Sequence, residues 1–136
     1  MNTFAKNDLH PDRDMELSQD ADNEPFLVLD KLAEMKQELG PSFLNVIQHF
    51  QSGILLRPEK INQAIQANDP ERVERESHSL KSVCRQIGLV QMGHLAANLE
   101  SLAHAGELRG AGLLVGQLIQ AGQLAHSQLT EYCTSP

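Results

Sequence analysis

Apolar side chains recur every three or four positions from residue 26 almost to the end of the 136-residue chain. The longest stripe advances in steps of three, four or seven residues, through Phe43, Ile47, Phe50, Ile54, Ile61 and Ile65. Such steps keep apolar side chains on one face of an α-helix. The sequence has no β-branched run with strict apolar–polar alternation, the pattern that predicts a strand. The chain is therefore predicted to be all-α.

Glycine and proline divide this pattern into five predicted helices. Their predicted ranges are 30–39, 41–67, 70–87, 90–105 and 112–132. The third helix has the clearest start, because Asp69 is a good N-cap residue and Pro70 suits the first helical position. Gly88 is expected to end the same helix. Pro58 predicts a kink or a split in the second helix, since proline removes an intrahelical hydrogen bond.

Each predicted helix has an apolar stripe that is expected to face a common core. Besides the stripe of the second helix, the predicted inward residues are Leu32, Met35, Leu39, Val73, Leu80, Val83, Cys84, Ile87, Met92, Leu95, Leu99, Leu102, Leu113, Leu114, Leu118, Leu124 and Ala125. Four long helices with short links predict an antiparallel four-helix bundle, with the short first helix as an addition at one end. The length suits a single domain.

Charge is distributed unevenly along the chain, whose formal net charge is −7. Residues 1–25 carry seven acids and two bases, a net charge of −5, and they show no sustained periodicity. They are predicted to be a disordered acidic tail, and residues 26–136 are predicted to form the bundle. An acidic chain argues against nonspecific nucleic-acid binding, which requires basic surface.

Cysteine usage and hydropathy indicate the cellular setting. Cys84 and Cys133 are far apart and form no CxxC pattern, so no disulfide framework or zinc site is expected. No apolar run reaches the roughly 18 residues of a membrane span, and the N-terminus does not resemble a signal peptide. The sequence therefore predicts a reduced, cytoplasmic protein.

One histidine lies on the polar face of the third predicted helix, within the segment ESHSLKSVCRQIGL. At about 100° per residue, Leu80 and Ile87 fall opposite His78, whereas Lys81 falls within about 60° of it. His78 is therefore predicted to be exposed. A zinc site would need ligands three or four residues further on, where Lys81 and Ser82 stand instead.

Cations surround this histidine on the polar face. Arg75 and Lys81 stand three residues before and after His78, and Arg85 extends the positive patch. A lone exposed histidine is most often a plain surface residue. These neighbours, however, suit an anion carried on the imidazole. Neutral imidazole can attack phosphorus, and cations stabilise the added negative charge. His104, on the polar side of the fourth helix, is interpreted as a plain surface residue.

The third helix resembles the signature of the histidine phosphotransfer (HPt) domain, roughly H-x-L-K-G-S-x-x-x-x-G. The matching residues are His78, Leu80, Lys81 and Gly88. Downstream, LVQMGHLAANLESLAHAG is similar to the next helix of the family, with an L-x-x-x-L-E arrangement that ends at Glu100. Ser82 and Val83 depart from the family's small residues. Ser82 is expected to slow a partner's approach or make it more selective, and Val83 is expected to fill the core.

The resemblance implies a helical bundle that carries a phosphoryl group on one exposed histidine. Such proteins accept the group from the aspartate of one receiver domain and pass it to another in a multistep two-component phosphorelay. By matching position, His78 is the phosphoacceptor and Lys81 stabilises the phosphate. The chain would be a phosphocarrier and not an enzyme, without a cofactor of its own, and would rely on Mg²⁺ in the receiver.

The resemblance also implies partners and a docking surface. The expected partners are receiver domains of response regulators and of hybrid sensor histidine kinases, with no nucleic acid and no membrane, and the chain is expected to be a monomer. The expected docking residues, besides His78 and Lys81, are Glu74, Arg75, Ser82, Arg85, Val90, Gln91 and His94.

Two other functions remain open from the sequence. A helical adaptor could bind a receiver or sensor kinase without carrying phosphate, which the changes at Ser82 and Val83 favour and the retained His78 and Lys81 disfavour. A metal- or cofactor-binding four-helix bundle would need inward-facing Glu-x-x-His ligands. The sequence contains no Glu-x-x-His.

Overall fold

The structure, a computed structural model, describes residues 26–134. They form five α-helices and one 3₁₀ turn, and none of them lies in a strand. The elements are α1 (Leu29–Leu39), the 3₁₀ turn (Gly40–Ser42), α2 (Phe43–Gln66), α3 (Pro70–Ile87), α4 (Val90–His104) and α5 (Ala111–Thr134). The all-α prediction is confirmed, and every helix lies within two residues of its predicted bounds. The predicted acidic tail lies outside the described residues.

Helices α2 to α5 form the predicted four-helix bundle, in which α3 packs between α2 and α4, and α5 packs between α4 and α2. Consecutive helices are joined by short links and therefore run antiparallel. Their inward faces bury an aliphatic core. Its largest fully buried side chains are Leu32, Ile47, Ile54, Ile61, Leu80, Ile87, Leu89, Met92, Leu99, Leu118, Leu129 and Val73. The short α1 packs against α2 and α3.

Local sequence signals hold both ends of α3, the helix that carries His78. At its N-terminus, the Asp69 side chain accepts a hydrogen bond from the Arg72 backbone N–H at 3.2 Å. At its C-terminus, Gly88 has a φ of 84°, in the left-handed region that favours glycine. A Cβ on Gly88 would stand 2.9 Å from the Val28 carbonyl oxygen. The Val28 N–H also donates to the Gly88 carbonyl at 2.9 Å, which fixes the start of α1 against the end of α3.

Helix α2 continues through Pro58, so of the kink or split predicted at this residue the split does not occur. Pro58 is buried, and it has no N–H to donate to the Ile54 carbonyl one turn earlier. Gly122 of α5 packs against that carbonyl, since a Cβ on Gly122 would lie 2.7 Å from the Ile54 oxygen. Close packing by α5 therefore covers the point where the hydrogen-bond ladder of α2 is interrupted.

The predicted inward face of α5 is partly wrong. Leu118 and Ala125 are buried as predicted, but Leu113 and Leu124 are 73% and 48% exposed. The buried face consists of Ala111, Val115, Leu118, Gly122, Ala125 and Leu129. Small residues on this face let the α5 backbone approach α2. Close packing of the two backbones stabilises the fold more than burial of the two exposed leucines would.

We expect Gly122→Ala to destabilise the fold, although alanine is the better helix former. The added Cβ would lie 2.7 Å from the Ile54 carbonyl oxygen and 3.3 Å from Met92 Cε. Overpacking costs about 1–3 kcal/mol, and the higher helix propensity of alanine returns up to about 1 kcal/mol. The free energy of unfolding should therefore fall by about 1–2 kcal/mol.

Gly116→Ala, on the same helix, is the matched control for this prediction. Apart from the backbone of its own helix, no heavy atom lies within 4 Å of an added Cβ at this position, so the variant should be more stable by up to about 1 kcal/mol. Urea unfolding followed by circular dichroism compares the two variants. Changes of the same sign and size at both glycines would contradict a specific cost of the contact with Ile54.

Candidate functional site

His78 projects from the middle of α3 into solvent. Its side chain is 62% exposed, whereas its neighbours Ser77 and Leu80 are fully buried. The predicted exposure of His78 is thus confirmed. The buried neighbours fix the α3 backbone against the bundle, so the imidazole stands on a rigid helical surface.

A carboxylate from the neighbouring helix holds the imidazole. Glu100 of α4 lies with Oε2 at 2.7 Å from His78 Nδ1 and with Oε1 at 2.5 Å from Lys81 Nζ. One carboxylate therefore bridges a histidine and a lysine that stand one turn apart on α3. The side chains of Lys81 and Glu100 are 17% and 19% exposed, so most of this bridge is shielded from water.

The protonation of Glu100 determines which nitrogen of His78 is available for chemistry. Partial burial raises the pKa of Glu100. The hydrogen bonds from Lys81 and His78 together lower it by a larger amount, so the pKa lies below its ordinary value. Glu100 is therefore a carboxylate at neutral pH and can only accept hydrogen bonds. His78 must donate from Nδ1, which leaves the lone pair of the neutral ring on Nε2.

A shallow, open depression lies beside His78 on the surface formed by α3 and α4. Its lining residues are Glu71, Glu74, Arg75, His78, Ser79 and Glu100. The depression is too open to enclose a small-molecule substrate. It leaves room for a reactive group that a docked protein partner presents to the imidazole.

An exposed imidazole with a fixed tautomer on a four-helix bundle suits a carrier of a transferable group. The family model of the Hpt domain matches residues 46–131. The chain belongs to the Hpt domain family. Hpt proteins are phosphocarriers that interact with receiver domains in phosphorelays. The chain is accordingly a histidine phosphotransfer protein of a phosphorelay.

The fold of this Hpt protein is similar to that of histidine-containing phosphotransfer protein B (HptB) from Pseudomonas aeruginosa PAO1. The two structures have a TM-score of 0.76 and 22% sequence identity, over 81% of this chain and 96% of the other. At this identity the likeness is one of fold. No curated protein sequence matches the chain significantly.

The predicted docking residues all lie on α3 and the first two turns of α4. They are Glu74, Arg75, Ser82 and Arg85 on α3, and Val90, Gln91 and His94 on α4. Arg75 and Arg85 are exposed, and the other five are partly buried. The Glu74 carboxylate is paired, because its Oε2 lies 2.9 Å from Nδ1 of His104 at the end of α4.

Three other residues of α3 have structural roles. Val83 packs against the core, as expected from its inward position. Cys84 is fully buried, and burial raises the pKa of its thiol to about 12, so it is not a nucleophile at neutral pH. Glu76 lies close to the core side of α3. It forms an ion pair with Arg57 of α2 at 3.3 Å.

Two features of the site were not predicted from the sequence. Glu100 belongs to the L-x-x-x-L-E arrangement, which by itself does not assign it to the site. The sequence feature that points to Glu100 as a site residue is an acid directly after the buried Leu99, on the helix that packs beside His78. The sequence predicts that His104 is a plain surface residue; its side chain is 79% exposed, but it is paired with Glu74.

Residues 26–134 contain neither a group of metal ligands nor a membrane span. No three His, Cys, Asp or Glu side chains in this range are arranged to hold a metal ion. No helix in this range is long and apolar enough to cross a membrane.

Proposed function

We propose that His78 is the phosphoacceptor of this Hpt protein and relays a phosphoryl group between receiver-domain aspartates through Nε2. The observation that carries the proposal is the 2.7 Å hydrogen bond between His78 Nδ1 and Glu100 Oε2. It assigns the proton to Nδ1 and the lone pair to Nε2, on a side chain that is 62% exposed. A solvated histidine without a partner would have no such fixed tautomer.

In the accepting step, the Nε2 lone pair attacks the phosphorus of a receiver's aspartyl phosphate. The N–P bond forms as the P–O bond to the aspartate breaks, and the aspartate leaves as a carboxylate. The imidazole then carries a positive charge, because Nδ1 keeps its proton. The Glu100 carboxylate stabilises this charge. Attack on phosphorus by the aspartate of a second receiver breaks the N–P bond and restores the neutral imidazole.

Lys81 has a supporting role in this proposal, in which it stabilises the phosphoryl oxygens. Glu100 holds Lys81 Nζ at 2.5 Å, one helical turn from His78. An ammonium group has three N–H donors, so the bond to Glu100 leaves two for phosphoryl oxygens. The carboxylate thus places the ammonium group beside the imidazole before any phosphate arrives.

The docking surface in this proposal is the ring of residues around His78 on α3 and α4. The exposed guanidinium groups of Arg75 and Arg85 flank His78 along α3 and suit the acidic active site of a receiver domain from a response regulator or a hybrid kinase. The receiver would bring the Mg²⁺ that neutralises charge on the transferring group, and this chain would need no cofactor of its own. We place the protein in the cytoplasm as a monomeric, non-enzymatic phosphocarrier without a nucleic-acid partner.

The test uses a panel of receiver domains that carry phosphate on their aspartates. Each is incubated with the protein, and the chemical stability of any transferred label is measured. We expect a label that is lost in acid and retained in base, as for phosphohistidine. A folded protein that binds a receiver but takes no label from any of them would contradict the proposal and favour the phosphate-free adaptor.

A further inference from the structure

A second histidine–glutamate pair lies beside the first. His104 Nδ1 of α4 lies 2.9 Å from Glu74 Oε2 of α3, and His78 Nδ1 lies 2.7 Å from Glu100 Oε2. Each helix contributes a Glu-x-x-x-His segment, with Glu74 and His78 on α3 and Glu100 and His104 on α4. Because the two helices are antiparallel, each histidine pairs with the glutamate of the other helix.

The two histidines have different surroundings. His78 stands in the middle of α3, and its glutamate also binds Lys81. His104 is the last residue of α4, where the free carbonyl groups of a helix end disfavour a bound anion. His104 is therefore a poor phosphate carrier, and its pairing with Glu74 calls for a different explanation.

Glu74 is the residue that links His104 to the phosphate site. It stands four residues before His78, so the two side chains are neighbours on the same face of α3, and both line the open depression. The other α3 neighbours at three or four residues' distance are Pro70, Glu71 and Ser77, of which Ser77 is fully buried. Among these neighbours, His78 is the one exposed hydrogen-bond donor within reach of a released Glu74 carboxylate.

A released Glu74 carboxylate would oppose phosphoryl transfer in two ways. It could accept a hydrogen bond from Nε2, which would place the proton on the attacking nitrogen and remove its lone pair. It would also place a negative charge next to an incoming dianionic group. Both effects depend on the carboxylate of Glu74 and not on the imidazole of His104 itself.

We propose that His104 is a positioning residue, which holds the Glu74 carboxylate away from Nε2 of His78. The inference rests on the proposed function of His78 as the nucleophile. His104 Nδ1–H donates to Glu74 across the α3–α4 interface, just as His78 Nδ1–H donates to Glu100. One pair keeps the proton on Nδ1 of His78, and the other keeps Nε2 free of a competing acceptor.

The test compares His104→Ala, Glu74→Gln and the double variant with the wild-type protein, with His49→Ala as a matched control. His49 is an exposed histidine of α2, outside the site. Two quantities are measured: the rate of phosphoryl transfer from a phosphorylated receiver, and the ¹⁵N chemical shifts of the His78 ring without phosphate. We expect His104→Ala to slow transfer about fivefold and to move the Nε2 signal towards its protonated value.

The double-variant comparison separates positioning from a general structural effect. In the Glu74→Gln background, His104→Ala should change neither the rate nor the His78 signals, because the carboxylate is gone. The same slowing in both backgrounds would overturn the inference, as would unchanged His78 signals in His104→Ala. Failure of the wild-type protein to take phosphate would refute the proposed function instead, while the ¹⁵N comparison would still decide whether His104 controls the His78 tautomer.

Discussion

We expect His78→Gln to lose all transferable label from phosphorylated receiver domains. Glutamine retains a polar side chain that can donate to Glu100, but its amide nitrogen has no free lone pair with which to attack phosphorus. The wild-type side chain is 62% exposed, so the substitution leaves the buried core of α3 in place. The measurement is the amount of acid-labile, base-stable label after incubation with the receiver that labels the wild-type protein fastest.

His49→Gln is the matched control for this loss, since it makes the same chemical change at an exposed histidine of α2. It should retain the wild-type rate of labelling. Circular dichroism should show the same helix content for both variants. Label that persists on His78→Gln would contradict the assignment, and peptide mapping would then locate the histidine that carries it.

The fold of α3 could be predicted from its sequence because short-range signals fix both of its ends. Asp69 caps the N-terminus with its own side chain, and Gly88 takes the left-handed conformation that ends the helix. Between these ends, the helical period alone places His78 opposite the buried Leu80. These features depend on residues within one helix, which a single sequence contains in full.

The rotation of α5 could not be predicted in the same way. Its apolar residues extend around much of the helix, so hydrophobicity alone does not select one face. The face that contains Gly122 is buried because a small residue there lets the α5 backbone reach the Ile54 carbonyl. That carbonyl belongs to α2, where Pro58 has no N–H to donate to it, and a pattern within α5 contains no information about it.

The histidine–glutamate pairs were also not predicted, for a related reason. The polar faces of α3 and α4 can be read from the sequence, but the register between the helices decides which side chains meet. A shift of one turn would separate Glu100 from His78 and from Lys81, without moving any of them off the polar face. The core contacts set this register, so Glu100 becomes identifiable as a site residue once the packed helices are known.

We expect Glu100→Ala to slow phosphoryl transfer to His78 by about 10- to 100-fold. A hydrogen bond to a charged group contributes about 1.5–3 kcal/mol, and each 1.4 kcal/mol corresponds to a tenfold change in rate. The exposure of His78 favours the lower part of this range. Without the carboxylate, the Nδ1–H tautomer loses its preference, and the positive imidazole of the phosphorylated state loses its counter-charge.

Glu100→Gln separates these two contributions. Its amide oxygen can still accept from Nδ1–H and keep the lone pair on Nε2, but it has no charge, so we expect a rate between those of the wild type and Glu100→Ala. Because the pKa of Glu100 lies below its ordinary value, the carboxylate is fully charged above about pH 6. The charge of Glu100 should therefore add no pH dependence of its own to the ratio of wild-type to variant rates between about pH 6 and pH 8.

Both substitutions of Glu100 remove the carboxylate partner of Lys81, whose side chain is only 17% exposed. The control must therefore separate a loss of stability from a loss of phosphoryl transfer. Rates are therefore compared at a temperature where circular dichroism shows every variant to be folded. Glu59→Ala, at an exposed position of α2, should transfer at the wild-type rate. Wild-type rates in Glu100→Ala would show that the carboxylate does not select the reactive nitrogen of His78, and the tautomer argument for Nε2 would be wrong.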